Sequence, residues 1–63
     1  MCEAKVFFAA GDQKQLIMKD VVSIKPVPEG LELIDLFGEK KVVKASLLEL
    51  KLLDHIVLLK PEA

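Results

Sequence analysis

Apolar and polar residues alternate with a period of two over most of this chain, which is strand patterning rather than the 3.6-residue repeat of a helix. Residues 1–9 read as a first strand whose inward set is Ala4, Val6 and Phe8, with Cys2 in phase with it. Gly11-Asp12 then supplies turn chemistry, because glycine accepts positive φ and aspartate bonds its own backbone. A hairpin to a second strand over residues 14–18 follows from that turn. Lys19-Asp20 reads as a polar break before alternation resumes over residues 21–27, with Val22 and Ile24 on one face. Pro26 cannot donate to a ladder, so it sits at an edge or marks where pairing ends.

Pro28-Glu29-Gly30 is the clearest turn in the chain. The strand after it, residues 31–37, is apolar on both faces and is expected to be central or to lie in an interface. Gly38-Glu39-Lys40 predicts a further turn into a strand over residues 41–44. Residues 45–53 fit two patterns. Their leucines have good helix propensity behind a Ser46 cap, yet Leu48, Leu50 and Leu52 also alternate. A short turn followed by a strand is the preferred assignment, with Asp54-His55 as a two-residue turn into residues 56–60. Six or seven short strands, with turns every eight to twelve residues or so, predict an all-β fold: a small antiparallel β-barrel or sandwich, one domain over residues 1–63.

Composition changes this picture in one respect. A chain of 63 residues buries only about 60% of the surface its unfolded form exposes, so it is marginal alone. One cysteine excludes an internal disulfide, and no Cys/His spacing suits structural zinc. With 52% apolar residues, some apolar area must face another chain or remain exposed, and self-association as a homodimer is the staple expected. Lysines number nine against ten acidic residues, and arginine, tryptophan and tyrosine are absent. That balance argues against a nucleic-acid partner, which would call for excess basic charge and stacking aromatics. Glu3 replaces a basic leader segment, and no apolar run is long enough for a signal peptide or membrane span. The free thiol suits a reducing compartment, so a cytoplasmic location is expected.

The candidate chemistry concentrates at Cys2. A thiolate flanked by an amine or deprotonated amide suits a square-planar divalent ion such as Ni²⁺ or Cu²⁺. If Met1 is retained, its backbone amine, the Cys2 amide nitrogen and the Cys2 sulfur form fused chelate rings. If Met1 is removed, the new α-amine and the sulfur form one ring. Either version leaves a four-coordinate ion unfilled, and two chains about a two-fold axis could complete it. The alternative is that Cys2 simply continues the apolar face of Ala4, Val6 and Phe8. His55, the only imidazole, reads as a solvated turn residue. Glu29, Glu32, Asp35 and Glu39 have the spacing of solvated strand and turn positions. No catalytic pairing or phosphate-cradling loop is visible, so no enzyme is expected.

The opening Met1-Cys2-x-Ala4-Lys5-Val6, the later Asp20-Val21-Val22 and the segment Leu36-Phe37-Gly38-Glu39 resemble the CooT family. These are very small nickel-binding accessory proteins associated with carbon monoxide dehydrogenase. The resemblance implies a homodimer that binds Ni²⁺ through Cys2 and supplies it to carbon monoxide dehydrogenase or its maturation proteins. Cys2 is the only functional residue it carries over, and His55 falls outside the matching segments. Two other readings are a small β-barrel that binds RNA and a module that recruits a protein partner by strand addition.

Overall fold

The computed structural model describes residues 3–62. They form six strands, β1 (Ala4–Ala10), β2 (Gln13–Val27), β3 (Gly30–Asp35), β4 (Lys40–Val43), β5 (Ala45–Lys51) and β6 (Ile56–Pro61). The strands make one sheet in the order β4-β3-β2-β1-β6-β5. The all-β expectation is met by a sheet curled into a half-barrel. Neighbouring strands pair antiparallel except β1 and β6, which run parallel from Lys5 opposite Ile56 to Phe8 opposite Leu59.

The curl is written into β2. The two segments expected on either side of a polar break are the halves of one 15-residue strand. Its first half pairs with β1 and its second with β3. Register shifts fall between these halves, and Asp20 adopts φ 57°. Aspartate is one of the few side chains that tolerates that backbone, so the chain bends without leaving the sheet. The extra residue at Val22 also moves the face: Val21, not Val22, is buried with the inward set, and Val22 is exposed. Pro26 lies in the half of β2 beyond the reach of β1, opposite Leu31 of β3. There its missing N–H costs no bond to β1.

Inward alternation from every central strand meets inside the curl. Val6, Leu33 and Leu59 are fully buried, with Val21, Ala45 and Val57 beside them. Ala4 and Phe8 pack on this cluster, as the alternation of β1 predicts. Burying each leucine of this kind contributes roughly 1.5–3 kcal/mol. The Cα envelope measures 29 × 28 × 15 Å, and the short dimension leaves room for two sheet layers about 10 Å apart and no more.

β4 and β5 occupy opposite ends of the strand order yet are joined through Lys44 alone. The curl brings the two ends together at this corner, and β5 comes back against β3. Gly30 makes the approach fit. Its φ is 143°, and a side-chain carbon there would press into the Val43 carbonyl and sit 3.1 Å from the Lys44 Cα. The Glu62 N–H donates to the Lys44 carbonyl at 2.9 Å, fastening the end of β6 to the same corner. Residues 45–51 are strand from the first residue, without the short turn expected before it. The following turn takes four residues rather than two, 52–55, with His55 at φ 56°. A loop of this length needs a left-handed residue near its end to return the chain to its partner.

Candidate functional site

Cys2 and Met1, the residues singled out by their ligand chemistry, lie outside the described residues. The structure does describe the ground they enter from. The Lys5 N–H donates to the His55 carbonyl at 2.9 Å, and Ala4 pairs with Val21. Ala4 also shares a depression of about 240 Å³ with Lys51, Leu52, His55, Ile56 and Val57. The start of β1 therefore sits beside the β5–β6 turn. His55 is an exposed turn residue, as its sequence position suggests. What the sequence could not show is that parallel pairing with β6 sets His55 next to the start of β1, fifty residues away in the chain.

A second concavity, of about 400 Å³, lies between β2 and the β3–β4 turn and is lined in part by Asp20, Asp35, Phe37 and Lys41. Asp35 departs from the solvated placement expected of it, being only 9% exposed. Its Oδ1 accepts from the Phe37 N–H at 2.9 Å and the Glu39 N–H at 2.8 Å. The Gly38 N–H donates to its carbonyl at 3.0 Å, and its own N–H donates to the Glu39 carbonyl at 3.0 Å. Every one of these bonds is spent on holding the turn, so the carboxylate is a structural clasp. Lys41 Nζ donates to the Ile17 carbonyl at 3.0 Å across the same concavity. Glu32, half-buried, faces the exposed Lys25 at 3.8 Å, a long contact with one partner in solvent that is worth little.

A third concavity, about 290 Å³, is apolar and lined by Ile24, Pro26, Leu31, Leu47 and Leu50. It opens where β5 diverges from β3. Along β5 and its turn Leu47, Leu48, Leu50, Leu52 and Leu53 are all exposed, Leu53 almost completely at 96%. Among the described residues, no three His, Cys, Asp or Glu side chains come together in a way that could hold a metal ion. No helix among them is long and apolar enough to cross a membrane.

Residues 1–60 match the family described as CO dehydrogenase accessory protein CooT. A solved crystal structure of a CooT from Carboxydothermus hydrogenoformans is 42% identical in sequence and superposes with a TM-score of 0.93. The match covers 98% of this chain and 100% of that one. No curated protein matches the sequence.

Proposed function

This chain belongs to the CooT family of CO dehydrogenase accessory proteins, and from that membership we propose that it carries Ni²⁺ for maturation of carbon monoxide dehydrogenase. The Cys2 thiolate is the protein's ligand, assisted by the Met1 backbone amine or, after removal of Met1, by the new α-amine of Cys2. Two such termini, one from each chain of a homodimer, complete the four-coordinate sphere. The protein acts in the cytoplasm as an accessory protein and catalyses no reaction itself. Nickel is its cargo.

The observation that carries this reading is the family match from residue 1, which includes the Met1-Cys2 start. One further feature supports it: β5 and the β5–β6 turn carry a dense run of exposed leucines, the kind of surface that a second chain would cover.

Calorimetric titration with Ni²⁺, alongside thiolate-to-metal charge-transfer absorption, tests the assignment. Wild type is expected to bind nickel with a charge-transfer band. Cys2→Ser should lose the band and lower affinity by at least about a hundredfold, the loss of a soft anionic ligand being poorly replaced by a hydroxyl. Equal binding by both proteins would remove Cys2 from the site.

A further inference from the structure

We propose that the β3–β4 turn is the face on which the recipient enzyme docks, with Phe37 as the anchor and Lys19, Lys40 and Lys41 as its rim. This inference rests on the reading that the protein hands nickel to carbon monoxide dehydrogenase, and it names the surface that meets that partner. Phe37 stands in the turn with 81% of its surface exposed, outside the core cluster. Leu36 beside it is about half exposed.

Four consecutive amides fix this turn. The Leu36 N–H donates to the Asp20 carbonyl at 2.8 Å, and the Gly38 N–H donates to the Asp35 carbonyl at 3.0 Å. Between and after them, the Phe37 and Glu39 N–H groups both donate to the buried Asp35 carboxylate. A buried charge thus holds a phenyl ring out in water, where the ring adds nothing to the core of the single chain. The arrangement does serve association. An anchor already fixed in place loses little entropy when a partner closes over it, and aromatic side chains are enriched where interfaces bury most.

The charges around the ring select the partner. Lys19, Lys40 and Lys41 are exposed and line the concavity of about 400 Å³ beside Phe37, three of the chain's nine lysines. Of the three carboxylates there, Asp35 is committed to the turn, which leaves three ammonium groups to Asp20 and Glu39. The fitting surface is a protein with an apolar pocket for the ring and carboxylates at its margin. A second copy of this chain fits poorly. A patch that meets itself about a two-fold axis sets these lysines against their own copies, and like charges across an interface are costly.

The register places this face for delivery. Ala4 lies opposite Val21, and Val21 lies opposite Asp35. The turn and the start of β1 therefore share one end of the sheet, two strand spacings or about 10 Å apart. Cys2 precedes β1 in the chain, so an enzyme seated on Phe37 also meets the end of the sheet from which β1 begins.

Binding of the full chain to carbon monoxide dehydrogenase isolated without nickel, followed by surface plasmon resonance, tests the face. Phe37→Ser should weaken binding at least about tenfold, as loss of a central anchor does, while its Ni²⁺ titration and sedimentation match wild type. Lys19→Glu/Lys40→Glu should slow association by about tenfold and flatten its salt dependence. Equal affinity of Phe37→Ser and wild type for the enzyme would overturn the docking face and leave nickel carriage standing. A Phe37→Ser chain that loses self-association or nickel binding would overturn it as well, and so would a labelled single-stranded RNA retarded by wild type and not by the variant. A wild type that binds Ni²⁺ but never the enzyme would overturn the recipient together with this face.

Discussion

β5 and β6 are neighbours in the sheet, hydrogen-bonded to each other and both rich in leucine, yet their side chains meet opposite fates. Val57, Leu58 and Leu59 of β6 are all buried, while Leu47, Leu48 and Leu50 of β5 are about half exposed. Residue type does not explain the difference. Position in the strand order does: β6 has β1 on one side and β5 on the other, whereas β5 has β6 alone. The curl closes over Val57 and Leu59 of β6, which belong to the core cluster, and leaves the leucines of β5 outside it. A leucine on a strand with two neighbours is core, and a leucine on an open edge is surface.

The largest expected effect comes from breaking the closed side. Leu33→Ala removes a fully buried side chain, and urea unfolding should show a loss of about 3–4 kcal/mol, since the surrounding strands cannot collapse into the space. Preserved stability would mean that the centre of the curl is loosely packed. Next is the corner that holds the two regions together. Gly30→Ala should cost about 2–3 kcal/mol in the same assay, because the backbone at φ 143° and the Val43 carbonyl both reject a side chain. An effect below about 1 kcal/mol would argue that the corner can open freely. The smallest belongs to the open side. Leu53→Ser, measured at a concentration where the chains are dissociated, should change stability by less than about 0.5 kcal/mol, as surface substitutions usually do. A larger loss would show that the leucine turn already supports the single chain.

The same contrast explains what the sequence made legible. Turns at Gly11-Asp12 and Pro28-Glu29 were readable because their residue types answer a backbone requirement. The inward set Ala4, Val6 and Phe8 was readable because one side of β1 faces the core throughout. The bend in β2 was not. An aspartate in the left-handed region looks the same in sequence whether it ends a strand or kinks it, and only the pairing of both halves decides. The parallel β1–β6 pair was equally hidden, because contacts between residues fifty apart leave no local pattern. The leucines of β5 suited a helix or a strand alike, and hydrogen bonding to β6 settled the matter.

The candidate site was legible as chemistry rather than as geometry. Cys2 stands out by residue type and by its place at the start of the chain, and the family match runs from residue 1. Its surroundings could not be read. The nearness of His55 to β1 depends on the parallel pair, and the burial of Asp35 depends on a turn that closes around its carboxylate.

The central claim is the proposal that half of a nickel site resides in each chain of a homodimer. Native mass spectrometry of the nickel-loaded protein tests it most directly. The account predicts a species of two chains carrying one Ni²⁺, absent from Cys2→Ser. One ion bound to each single chain, or two ions on each dimer, would contradict it.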